Sequence, residues 1–296
     1  MAIDILDRLM GSFIGLAVGD AVGTTVEFRD RDTFTPLTDM VGGGPFRLPV
    51  GYWTDDTSMA LCLAESLVLD PKLSKVDLLE RFYNWMTEGY NSSTGVCFDI
   101  GNTTRVAIYN YSKEGLTVNN DKFFMAGNGS IMRLVPAVIC HYDNLPEAIR
   151  VSREQSLTTH AAPNCVDSCE LMANIILNAY NATSKDEVLT VDIKDEWTME
   201  VQEILRTLDA PRDHISSSGF VIHTLRAACW CFKNTENFRD AILLAANLGD
   251  DADTVAAVTG QIAGAYYGLS GIPQDWQDKL LDIDRFKVLV SELIKR

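Results

Sequence analysis

Residues 253–268, DTVAAVTGQIAGAYYG, carry no charged side chain after Asp253 and no polar stripe of any width. An amphipathic surface helix keeps a charged face, so a helix that is apolar nearly all round belongs in the middle of a bundle. Residues 57–70 and 219–233 have the same character, and residues 4–19 repeat apolar positions three and four apart at Ile5, Leu9, Phe13, Leu16 and Ala17. Helical spacing recurs at about 77–88, 102–113, 145–156, 165–183, 196–208, 237–247 and 283–294, and no convincing strand alternation is present. The expectation is an all-α fold, one compact multi-helix domain spanning residues 1–296.

Composition bounds what such a domain does. The chain has 296 residues, 47% hydrophobic and 22% charged, which is ordinary globular usage. With 41 acidic against 25 basic side chains the net charge is −16, which repels polyphosphate and disfavours nucleic acid as a partner. The nearest approach to a membrane span, Leu9–Val26, is interrupted by Asp20, and Asp4 and Asp7 precede it where a secretory signal would be basic. Seven scattered cysteines do not make a disulfide framework, so a reduced, cytoplasmic protein without a membrane partner is expected. Cys165/Cys169 and Cys229/Cys231 lack zinc-ribbon spacing and read as buried small hydrophobes.

Two helix starts carry more acid than capping needs. Trp53-Thr54-Asp55-Asp56-Thr57 stands before one apolar helix, and Asp250-Asp251-Ala252-Asp253-Thr254 opens another. Asp and Thr are favoured N-terminal residues, but one acid would satisfy that role at each end. Carboxylates buried beside apolar helices are costly unless a cation or hydrogen bonds compensate. If the two starts converge, they form an oxygen-only cluster suited to a dinuclear Mg²⁺ or Mn²⁺ site. Gly19 and Gly23 permit positive φ or close backbone approach. Glu27, which follows them, is either a solvated acid or a further carboxylate of the cluster. Gly127-Asn128-Gly129-Ser130 offers unobstructed backbone N–H groups at a helix start, a possible anion nest. His141, His214 and His223 read as structural, and no Gly-x-Ser-x-Gly elbow is present.

Gly43-Gly44-Pro45-Phe46-Arg47, Trp53 to Met59, Gly127 to Arg133 and Asp251-Ala252-Asp253-Thr254 together resemble the ADP-ribosylglycohydrolases, in family order from Gly11 to about Gly268. The likeness is greatest to the branch containing the dinitrogenase-reductase-activating glycohydrolase. It implies an all-α fold with a dinuclear metal centre in a cleft. Its ligands would fall on Thr54, Asp55, Asp56, Asp251, Asp253 and Thr254. By the same resemblance Glu27 lies near the substrate ribose and Asp99 faces the scissile bond, with Glu27, Asp55 and Asp99 as catalytic candidates. Gly127, Asn128, Gly129 and Ser130 would hold the diphosphate, His160 would touch substrate, and Phe220 would stand where an adenosine-side tyrosine occurs. Asp250 replaces a frequent family glycine.

The implied function is metal-dependent removal of ADP-ribose from modified protein side chains. Asp99 favours arginine, because a carboxylate pairs bidentately with guanidinium. The alternatives are hydrolysis of O-linked or small-molecule ADP-ribose conjugates, or a non-catalytic ADP-ribose-binding immunity module. The complete set of ligand candidates weighs against the last.

Overall fold

The computed structural model describes residues 4–115 and 126–295. Residues 1–3, 116–125 and 296 of the expected 1–296 domain lie outside the described residues. Fourteen α-helices are present among the described residues. They are α1 (Ile5–Gly23), α2 (Asp55–Leu69), α3 (Lys75–Glu88), α4 (Asn102–Glu114), α5 (Val135–Cys140), α6 (Leu145–Leu157), α7 (Pro163–Ala179), α8 (Lys185–Val188), α9 (Met199–Glu203), α10 (Val221–Lys233), α11 (Phe238–Ala246), α12 (Ala252–Tyr267), α13 (Gln274–Lys279) and α14 (Ile283–Leu293). Pairing of strand type is limited to the isolated bridges Gly43–Leu48 and Gly127–Phe220 among the same residues. The all-α expectation holds, in one continuous core.

Helix α12 is the centre of the bundle, as its sequence requires: every residue from Ala252 to Ala265 is buried. Its principal neighbour is α1, and the reason is a ladder of small residues. Gly11, Gly15, Gly19 and Gly23 repeat every four residues along one face of α1. They meet Gly264, Gly260, Ala256 and Ala252 of α12 in that order, so the helices run antiparallel. A Cβ at Gly15 would fall 2.3 Å from the Gly260 carbonyl oxygen, and one at Gly19 would fall 2.1 Å from that of Ala256. The backbones therefore approach as closely as glycine permits. Gly19 and Gly23 serve this close approach and are helical; neither takes the positive φ that the sequence left open. Helix α1 with its 3-10 continuation to Val26 is long and apolar enough to cross a membrane, but 89% of the qualifying window is buried inside the bundle.

Some expected boundaries shift. The 196–208 segment keeps its apolar spacing at Val201, Ile204 and Leu208, all buried, yet winds as the short α9 and a 3-10 turn at Leu205–Thr207. The 219–233 helix starts at Val221 because Phe220 is held in the bridge to Gly127. Helices α5 and α13 have six residues each, too few for a periodic pattern to stand out. Cys62, Cys165, Cys169, Cys229 and Cys231 are buried free thiols, as expected for small core residues.

Replacing Gly19 with Ala sets two effects against each other. Alanine gains about 1 kcal/mol of helix propensity, whereas overpacking against an unyielding backbone costs about 1–3 kcal/mol. Because the obstructing atom is the main-chain oxygen of Ala256, packing wins. Chemical denaturation of Gly19→Ala should show a lower midpoint, and an unchanged or raised one would refute the ladder's role.

Candidate active site

The antiparallel ladder delivers the C-terminal end of α1 to the N-terminal end of α12, and α2 starts beside both. The two acid-rich helix starts therefore converge. Neither is capped by its own residues: Thr54 and Asp251, at the N-cap positions of α2 and α12, make no side-chain capping bond. The cap of α2 comes from α1. Asp20, fully buried, accepts from the backbone N–H of Thr54 at 2.9 Å and of Thr57 at 3.1 Å, and from the hydroxyls of Thr54 at 2.9 Å and Thr57 at 2.6 Å. This residue has no role in the sequence reading. Its signal was an acid in the middle of an apolar helix, visible only once its distant partner is known.

With the cap of α2 supplied by Asp20, Asp55 and Asp56 are free for something else. Asp55, Asp56 and Asp253 bring carboxylate oxygens within 4.8 Å of one another, and Glu27, Asp99 and Asp253 do the same. Thr54 Oγ1 lies 3.3 Å from Asp253 Oδ2, and Thr254 Oγ1 donates to Asp56 Oδ2 at 3.4 Å. Glu27 is buried and joins the cluster, so the solvated alternative is set aside. Asp251 faces the same cavity but is tied to its other wall, accepting from Asn128 Nδ2 at 2.7 Å. Asp250 lies outside, exposed, with φ of 61°, the left-handed backbone that favours glycine and that Asp tolerates. Its main chain pairs with Phe28 and Arg29, fixing the Glu27 segment to the start of α12.

This crowding has a strong electrostatic signature. Burial pushes the Asp55, Asp56 and Asp253 carboxyls well above the usual range, and neighbouring carboxylates push further. Burial followed by Asp99 raises Glu27 to about 10, and burial followed by Asp251 raises Asp99 to about 7. None of the ion pairs among the described residues reaches Asp55, Asp56 or Asp253. Asp56 Oδ1 and Asp253 Oδ1 are buried without a hydrogen-bond partner. Orphaned acceptors in an oxygen-only set fit a hard divalent cation, which would reverse the upward shifts.

The cluster forms one wall of a cavity of about 540 Å³, whose lining includes Glu27, Phe28, Asp55, Asp99, Asn128, His160, Gly219 and Asp253. A second part of the lining comes from the loop at Gly127–Ser130, through Gly127, Asn128 and Gly129. Its geometry corrects the anion-nest reading in part. The loop precedes α5 by several residues and so is not a helix start. The Asn128 N–H is spent on Gly219 O at 3.1 Å. Ser130 is fully buried behind the loop, its hydroxyl accepting from Cys169 Sγ at 3.4 Å and its carbonyl from Gln155 Nε2 at 2.9 Å. Gly127 and Gly129 do line the cavity, with His160 packed on them. Phe220 stands half-buried beside Gly219, its ring edge-on to His223 at 5.0 Å. His223 makes a local bond to Ser218 Oγ and His141 a long-range one to Pro71 O, and His214 is exposed.

A sequence model of the ADP-ribosylglycohydrolase family matches residues 1–296. The chain belongs to the ADP-ribosylglycohydrolase family. It is 47% identical over 293 residues to the ADP-ribosylarginine hydrolase Tri1 of Serratia proteamaculans (strain 568), covering 97% of this chain and 79% of that one. It is 32% identical over 284 residues to the ADP-ribosyl-[dinitrogen reductase] glycohydrolase of Rhodospirillum rubrum, covering 93% and 90%. Among solved structures, an ADP-ribosylglycohydrolase-related protein complex superposes with a TM-score of 0.88 at 36% identity, over 98% of both chains. The acidic cavity thus belongs to an ADP-ribosylglycohydrolase fold on both sequence and structural grounds.

The raised carboxyls of this family member predict a pH dependence. Folded values above the unfolded ones, near 4, mean that the folded state binds more protons. Their stabilising contribution is complete below about pH 4. It is lost as pH rises through about 6 for Asp20, about 7 for Asp99 and about 10 for Glu27. In EDTA the melting temperature should fall between pH 6 and pH 8 (about the range of the first two groups), and millimolar Mg²⁺ should remove most of that fall. A metal-free protein with a flat profile over this interval would contradict the crowding.

Proposed function

We propose that the protein hydrolyses ADP-ribosyl-arginine on proteins, using water to break the N-glycosidic bond and releasing ADP-ribose with the guanidine restored. The observation that carries this reading is the placement of Asp99. It lines the cavity, with a carboxylate oxygen within 4.8 Å of those of Glu27 and Asp253. Asp99 pairs with the guanidinium, a planar group that a carboxylate matches bidentately. The relatives named as ADP-ribosylarginine hydrolases support the same linkage.

Thr54, Asp55, Asp56, Asp251, Asp253 and Thr254 would hold two divalent cations, Mg²⁺ or Mn²⁺. When bound, these would align the ribose hydroxyls and make a nearby water more acidic. The remaining chemistry rests on the chain. Positive charge grows on the ribose as the C–N bond breaks, and the carboxylates of Glu27 and Asp55 on the cavity wall stabilise it. Gly127 and Gly129 let the diphosphate approach the main chain, and His160 faces it from behind them. Ser130 and Asn128 act through loop shape, through their bonds to Cys169 and Gln155 and to Thr224 and Asp251. Phe220, next to the cavity-lining Gly219, would face the adenosine end.

The same reading places the reaction in the cytoplasm on ADP-ribosylated protein, with ADP-ribose as the product and no nucleic-acid or membrane partner. The net charge of −16 and the free thiols support it.

Asp99→Ala should lower kcat/KM on ADP-ribosyl-arginine protein by about 100-fold, the worth of a charged hydrogen-bonded pair. Turnover of a serine-linked substrate should change far less. Equal losses on both linkages, measured as free ADP-ribose released with Mg²⁺ and with EDTA, would refute the assignment to arginine.

A further inference from the structure

Among the described residues Arg133 is the one large cation fully enclosed in the core, and the ion pairs of those residues do not include it. Uncharged groups surround it. Nε donates to Gln155 Oε1 at 2.9 Å, Nη2 donates to Thr159 Oγ1 at 2.8 Å, and the guanidinium lies 4.6 Å from the Phe82 ring centre. Thr159 Oγ1 is in turn 2.8 Å from His160 Nδ1. The polarity of this chain follows from its first member. A guanidinium can only donate, so Thr159 Oγ1 must accept from it. The one hydroxyl hydrogen of Thr159 is then satisfied only by pointing at His160 Nδ1, because the alternative leaves a buried O–H without an acceptor.

We propose that Arg133 and Thr159 are positioning residues that hold His160 in the neutral tautomer with its proton on Nε2. That N–H is thereby presented to the cavity as a fixed donor to the anionic diphosphate. The ring is aimed accordingly. A Cβ on Gly129 would fall 2.6 Å from Cε1 and 2.9 Å from Nε2, and one on Gly127 would fall 3.5 Å from Nε2, so this edge lies along the glycine wall. The His160 main chain is locked as well, its N–H donating to Ser156 O at 2.7 Å and its carbonyl accepting from Ser156 Oγ at 2.8 Å. Burial, then the Arg133 charge, lowers the His160 pKa to about 3, which agrees with a donor that stays neutral at working pH. Gln155 couples both halves, since its Oε1 holds Arg133 while its Nε2 holds the Ser130 carbonyl.

The role given to the N–H rests on ADP-ribose being the ligand, and the test separates the two ideas. Long-range ¹H–¹⁵N spectra of ¹⁵N-histidine-labelled protein with Mg²⁺ at pH 7, His160 being assigned with His160→Gln, should show an unprotonated Nδ1 and a protonated Nε2. Thr159→Val should lose that pattern and weaken ADP-ribose binding in calorimetry about tenfold, the worth of one oriented hydrogen bond. Thr159→Ser should restore both. A proton on Nδ1 in the wild type overturns the relay whether or not any variant folds. A Thr159→Val protein with an unchanged tautomer, or with a changed tautomer and unchanged affinity, overturns the positioning role. If the wild type binds no ADP-ribose, the functional reading fails, while the wild-type spectrum still decides the relay.

Discussion

The close approach of α1 and α12 is the constraint on which the rest of the structure depends. Small residues at every fourth position on both helices leave no side chain between them, so the register is set by backbone against backbone. A leucine-packed pair could slide or rotate by a fraction of a turn at modest cost, whereas carbonyl oxygens about 2 Å from where a Cβ would stand cannot. That rigidity matters because the ends of this pair carry the chemistry. Asp20 comes from the last turn of α1 and Glu27 follows its 3-10 continuation, Asp251 and Asp253 come from the start of α12, and a shift of one residue would separate them.

The cluster then relies on a division of labour among acids that look alike. Asp20 is saturated by two backbone N–H groups and two hydroxyls of the α2 start. Asp55, Asp56 and Asp253 are left with unmet acceptors. A capping acid supplied from another helix is the less obvious solution, since Thr54 itself could have capped α2. Its consequence is that the helix start is secured while its own carboxylates remain available to a cation. The metal-free protein therefore carries repulsion that a fold selected for stability alone would discard.

How much of this was legible in the sequence depends on whether an interaction is local. The apolar α12 segment and the double-acid helix starts are short-range patterns, and they were readable along with the all-α architecture, whereas Glu27 was left open on its residues and Asp99 entered only through the family resemblance. The ladder was not readable, because Gly11, Gly15, Gly19 and Gly23 acquire meaning only against residues about 240 positions away. Asp20 was missed for the same reason, its partners lying 34 and 37 positions on. The Gly127–Ser130 loop was recognised, but the use of Asn128 N–H and the burial of Ser130 follow from contacts with Gly219, Gln155 and Cys169 that no local pattern announces. The short α5 and α13 carry too few turns for periodicity to register.

The two walls of the cavity also explain how so acidic a chain can receive a diphosphate. One wall concentrates carboxylates and requires cations. The other contributes no exposed charge; glycine backbone and a neutral imidazole form its surface, with the Arg133 guanidinium one layer behind. An arginine at the surface of that wall would be drawn to the nearby carboxylates and would compete with the cations for them. Kept behind Thr159 and His160, the same charge acts through oriented hydrogen bonds and leaves the acidic wall to the metal. The separation of the Arg133 charge from the carboxylates is therefore as much a part of the site as the residues that line it.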